Sequence, residues 1–111
     1  MKVIVLRKVV VYLENLTQAL YDEEYFGYKE DARKYVKELY ADIEKSLPTR
    51  LHKSAPEYFD KYGKNMYYAV FKKNKRTSWY VFFRLYKKDK EIFYQIRYIA
   101  NNHIVARYLL P

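Results

Sequence analysis

The sequence predicts an α+β fold: an N-terminal strand, a helical hairpin, and then an antiparallel three- to four-stranded meander packed on the helices. Two patterns predict it. From Lys29 to Leu47 apolar residues recur every three or four positions, the period of an amphipathic helix. From Met66 to Ile99 three runs rich in aromatic and β-branched residues (Met66 to Phe71, Thr77 to Tyr86, Ile92 to Ile99) alternate with two short basic connections, Lys72-Lys73-Asn74-Lys75-Arg76 and Lys87-Lys88-Asp89-Lys90. The chain of 111 residues reads as one domain, 1–111, long enough to bury a core without covalent staples.

The elements follow in order. Val3, Ile4, Val5 and Leu6 make a first strand, expected to be buried on both faces or to pair centrally, with Arg7 and Lys8 closing it. Val9, Leu13, Leu16 and Leu20 then define a helical stripe running to about Glu24. Gly27 suits a left-handed position in the break that follows. The apolar face of the second helix is Ala32, Tyr35 or Val36, Leu39, Ile43 and Leu47, and Pro48 stops it. Residues 49–65 connect to the meander, with a short helical turn expected after Pro56.

Strand alternation assigns faces in the meander. Trp79, Val81, Phe83 and Leu85 point toward the helices, whereas Tyr80, Phe82, Arg84 and Tyr86 point away. In the last run the even-numbered side, Ile92, Tyr94, Ile96 and Tyr98, is the apolar one, which would set Arg97 on the same open face as Arg84. Asn101-Asn102-His103 marks a turn, and the tail beyond it reads equally as strand or helix.

Composition narrows the function classes. There is no cysteine, so disulfides and thiolate metal sites are excluded, and two separated histidines give little for a zinc site. No apolar run approaches the roughly 20 residues of a membrane span, and the N-terminus lacks a long apolar leader core. A cytoplasmic protein is expected. Two glycines rule out a Gly-rich phosphate loop, and no Ser-His-Asp or Cys-His arrangement is supported. A net charge of +9 attracts polyanions: nucleic acid, a ribosome surface, an acidic protein or anionic lipid. Fifteen Tyr and six Phe exceed what one core needs, and exposed Tyr beside Lys and Arg suits base stacking or a protein interface.

The candidate functional set is therefore cationic: Lys72, Lys73, Lys75, Arg76, Arg84, Arg97, His103 and Arg107. As phosphate contacts these residues would bind RNA or DNA without sequence specificity. As catalytic groups, arginine or lysine would stabilise a pentavalent phosphorane while a 2′-hydroxyl attacks, with His103 moving the proton. The plainer readings are a hydrogen-bonded turn for His103, a solvated surface charge for Arg84 and a soluble hairpin tip for Lys72 to Arg76.

The element order, the run Lys75-Arg76-Thr77-Ser78-Trp79-Tyr80-Val81-Phe82-Phe83, and the run from Ile96 through Asn101-Asn102-His103 to Ala106 together resemble the RelE/ParE superfamily of toxins from type II toxin–antitoxin pairs, in a Bacteroidetes-type subgroup. The resemblance implies a RelE/ParE-like fold. It implies either metal-independent, ribosome-dependent cleavage of messenger RNA, as in RelE-like toxins, or inhibition of DNA gyrase without catalysis, as in ParE-like toxins. A degenerate member would act only as a protein-binding module. On the RelE-like reading Arg84 and Arg97 contact the scissile phosphate, Lys72, Lys73 and Arg76 are the basic strand-end residues, and His103 or Tyr108 takes the acid/base place. Implied partners are a cognate antitoxin and the ribosome with its message, or gyrase. No metal, small-molecule cofactor or membrane is implied.

Overall fold

The computed structural model describes residues 1–103 and Val105. Within them the order is β1 (Lys2–Val5), α1 (Arg7–Asp22), α2 (Lys29–Ser46), β2 (His52–Ser54), β3 (Tyr67–Lys72), β4 (Ser78–Lys88) and β5 (Glu91–Asn101), with 3-10 turns at Leu47–Thr49 and Glu57–Tyr62. The fold is α+β, as predicted. The sheet, however, has five strands in the order β1-β5-β4-β3-β2 and is mixed. The meander β3-β4-β5 is antiparallel, while β1 lies parallel to β5.

Two of these strands differ from expectation. β1 is an edge strand whose Val3, Ile4 and Val5 are only half-buried, because it pairs on one side alone. β2 falls in the stretch read as a connector, and its three residues pair with β3 through His52↔Ala69, Lys53↔Tyr68 and Ser54↔Tyr67.

Helix α1 starts two residues earlier than its apolar stripe. Leu6 is extended, and its carbonyl accepts from the N–H of Val9 and of Val10, so Arg7 and Lys8 form the first turn instead of closing the strand. Val9, Leu13 and Leu16 are its buried stripe. Burial of that stripe outweighs the weak helix propensity of Val9, Val10 and Val11. In the following turn Glu24 adopts the left-handed conformation (φ 61°), while Gly27 has no positive φ. Helix α2 buries Ala32, Val36, Leu39 and Ile43 and carries Glu30 and Asp31 in its first turn and Lys45 in its last, the arrangement that suits the helix dipole.

The helices cover one face of the sheet. Val9, Leu13, Leu16, Val36, Leu39 and Ile43 pack there with Phe71, Trp79, Val81, Phe83 and Ile96. The predicted inward set of the central strand is thus the core set. Trp79 donates its indole N–H to the Tyr35 hydroxyl at 2.9 Å, which satisfies the one polar atom this ring brings into the core.

The opposite face is not an open working surface. Phe59, Met66, Phe82, Ala100 and Val105 form a second buried cluster there, with Phe59 stacked on Phe82 at 4.3 Å between ring centroids. The alternation predicted for β5 holds only to Ile96. Phe82 pairs with Tyr98 but Phe83 pairs with Ile96, so Arg97 is an extra residue in a β-bulge. The bulge reverses the phase: Ile99 returns to the helix side, and Tyr98 and Ala100 join the second cluster. After Asn101 the chain turns helical at Asn102 and His103, and Val105 is buried. Among the described residues no helix is long and apolar enough to cross a membrane.

Candidate nucleic-acid interface

Charge is divided sharply along the chain. Residues 1–63 hold eleven Lys and Arg and eleven Asp and Glu, whereas residues 64–111 hold eleven Lys and Arg against only Asp89 and Glu91. The whole surplus of +9 therefore belongs to the segment that builds β3, β4, β5 and the tail.

One end of the sheet concentrates these charges in an ordered loop. The connection between β3 and β4 is shaped by Asn74, whose side-chain oxygen accepts from the N–H of Arg76 (2.8 Å) and of Thr77 (2.9 Å). The N–H groups of Lys73 and Asn74 both donate to the Thr77 carbonyl. Asn102 then stitches the end of β5 to this loop. Its oxygen accepts from the N–H of Ser78 at 3.0 Å, and its amide donates to the Arg76 carbonyl at 3.2 Å. The N–H of His103 donates to the Asn101 side chain at 2.9 Å. The result brings Lys72, Lys73, Lys75, Arg76 and His103 to one corner. All but Lys73 are exposed, and Lys73 rests its ammonium 5.2 Å from the Tyr35 ring centroid. Among the described residues none of these five is in an ion pair. With the backbone fixed by asparagines and the charges unspent, the corner can hold several phosphates in succession.

The other sequence candidates lie elsewhere. Arg84 is exposed on β4 opposite Gln95. Six residue steps of extended strand separate it from Ser78, which places it about 20 Å from the Asn102 corner. Arg84 and His103 therefore do not meet on one phosphate. Arg97 is half-buried at the bulge. Its Nε donates to the Tyr62 carbonyl, and its Nη1 donates to the Gln95 side chain at 2.8 Å. Gly63 makes the room for it, since a Cβ there would sit 2.6 Å from the Arg97 Nε. Beside it the Tyr62 and Tyr98 rings stack face to face at 3.9 Å. Burial first, and then the adjoining Tyr62 side chain, holds the Tyr98 phenol well above its ordinary range, so it keeps its proton at neutral pH. Arg107 and Tyr108 lie outside the described residues. Among the described residues no group of three His, Cys, Asp or Glu side chains is placed to hold a metal ion.

Sequence reasoning did not single out Asn74 as the organiser of the cationic loop. The signal was there: an asparagine within Lys-Lys-Asn-Lys-Arg is the residue type that folds back on its own backbone. The sequence marks Asn102 as a turn residue, but its bonds to the loop between β3 and β4 are tertiary and leave no local pattern. Behind the loop, a cleft of about 690 Å³ opens between the end of α1, the turn that follows it and the sheet, with His103 and Asn74 among its lining residues. No protein-family model matches the chain, and neither the curated proteins nor the solved structures yield a significant match.

Proposed function

We propose that the protein is the RNA-engaging toxin of a type II toxin–antitoxin pair, acting in the cytoplasm on ribosome-bound message as RelE-type toxins do. The observation that carries this reading is the cationic corner: Lys72, Lys73, Lys75 and Arg76 on a loop shaped by Asn74 and stitched by Asn102 beside His103, in a segment that holds the entire charge surplus. Such a corner supplies backbone affinity without sequence preference, and message cleavage on the ribosome leaves target selection to the ribosome. The cognate antitoxin would neutralise this corner with carboxylates.

A second reading, in which the chain binds its target without cutting, is favoured by one observation. Arg84 lies about 20 Å from the His103 corner, and Arg97 spends its guanidinium on Tyr62 and Gln95. The target would then be a protein such as DNA gyrase, as for ParE-type toxins.

Induction of the protein alone in a bacterium tests both. The first reading expects rapid loss of translation with cut messages ending in 2′,3′-cyclic phosphate, and expects a variant with Gln at Lys72, Lys73, Lys75 and Arg76 to be harmless. Loss of supercoiling with intact message supports the second. Normal growth with folded protein overturns both.

A further inference from the structure

The cleft behind the cationic loop has features that phosphate binding does not use. Its volume of about 690 Å³ falls within the range of ligand pockets. Trp79 is among its lining residues, only 2% exposed and with its N–H bonded to Tyr35. Phe26 and Tyr35 hold each other at 5.4 Å between centroids and 54° between planes. Tyr25, also a lining residue, is 67% exposed and makes no ring contact among the described residues. A large ring left so open in a wall of other rings is a stacking surface without its partner.

The polar groups follow the same division. Asn15 and Asn74 are among the lining residues, and neither side-chain NH2 group donates a hydrogen bond among the described residues. Both can pair with the edge of a heterocycle. Charge then fixes the direction of the occupant. Glu23 puts a carboxylate at the α1 end, while the loop end carries His103 with Lys73 and Arg76 close by. A phosphate belongs at the loop and an uncharged heterocycle belongs inside. The corner holds more cations than one phosphate requires, which favours a strand over a free mononucleotide.

We infer that this cleft takes one unstacked base from a single-stranded RNA whose phosphates run across Lys72 to Arg76, with Tyr25 as the stacking ring. The inference rests on the RNA-binding reading above and adds a base site to it. It assigns roles to Tyr25, Asn15 and the Asn74 amide, and it gives the strand a defined path from loop to cleft.

The test compares a fluorescent heptamer of single-stranded RNA with a heptamer of equal length whose riboses carry no bases, by anisotropy titration of the full chain. Both have the same phosphates, so they differ only in what can enter a cleft. The wild-type protein should favour the base-bearing strand by roughly 5- to 150-fold, the range for one base stacked on an aromatic ring. Tyr25→Ala should remove most of that preference and leave affinity for the abasic strand unchanged, and Tyr25→Phe should restore it. Tyr25 is a surface residue in a turn, so the fold should tolerate both changes, and circular dichroism checks this. Equal wild-type affinity for the two strands would overturn the base site while leaving the phosphate-binding corner intact. A preference that survives Tyr25→Ala unchanged would place the base elsewhere and overturn it too. If the wild-type protein binds neither strand, the RNA reading fails, and the base site fails with it.

Discussion

Gly63→Ala tests whether Arg97 is a structural group or one free to work on a substrate. Gly63 sits at φ 153° and ψ 139°, a region that side-chain-bearing residues avoid at a cost of about 1–3 kcal/mol. A Cβ there would lie 2.6 Å from the Arg97 Nε, 2.9 Å from its Cδ and 3.3 Å from the Met66 sulfur. The arginine is flexible enough to swing aside, so the second cost is the hydrogen bond it abandons. That bond runs from a charged guanidinium to the Tyr62 carbonyl, and such bonds contribute about 1.5–3 kcal/mol. Together the two predict a loss of about 2.5–6 kcal/mol. Urea denaturation followed by the fluorescence of Trp79, the only tryptophan, reads it directly. Combining Gly63→Ala with Arg97→Ala should cost less than the sum of the single changes by about 1–2 kcal/mol, because the second change removes the group the first displaces. A loss below about 1 kcal/mol, or strict additivity, would show that Arg97 does not depend on this niche. Its guanidinium would then be available to a bound phosphate.

Two further predictions concern tyrosines. The Tyr98 phenol titrates above its ordinary value of 10.0 in the folded state, so the unfolded chain gives up this proton first, and stability is full below pH 10 and falls as pH rises beyond it. Tyr98→Phe should flatten that alkaline limb of stability against pH, and a limb of unchanged slope would assign it to other groups. Tyr35→Phe leaves the buried Trp79 N–H without its acceptor and should cost about 1–3 kcal/mol in a urea titration. An unchanged midpoint would show that water reaches the indole.

What the sequence revealed and what it hid follow from how local each feature is. The stripe Ala32, Leu39, Ile43 and the alternation Trp79, Val81, Phe83 are set by neighbours along the chain, and both are buried as read, while the choice the pattern leaves between Tyr35 and Val36 falls to Val36. The pairing of His52 to Ser54 depends on a partner strand with twelve residues between them, and three residues carry too little pattern to announce it. The bulge at Arg97 is subtler. One extra residue leaves composition untouched but reverses every face after it, so strict alternation points Ile99 away from the helices and Tyr98 toward them, the reverse of what the structure has. The far face appeared open because Phe59, which covers it, comes from a segment with no periodicity. In the site, the charges of Lys72 to Arg76 were legible as composition. Their corner was not, since Asn102 joins it across 26 positions of sequence to Arg76. The distance between Arg84 and His103 was within reach, because strand length alone separates the two ends of β4.

The claim that the cationic corner holds an RNA backbone is tested most directly by the salt dependence of binding. Each phosphate neutralised on a single strand contributes about −0.7 to the slope of log affinity against log salt. Four contacts from Lys72, Lys73, Lys75 and Arg76 therefore give a slope of about −3, or a roughly fifty-fold loss between about 50 and 200 mM salt. Replacing all four with Gln should reduce the magnitude of the slope by about three, while Gln at Arg84, Lys87 and Lys88, at the other end of β4, should leave it unchanged. A wild-type slope in the first variant, or its loss in the second, would contradict the assignment of the corner.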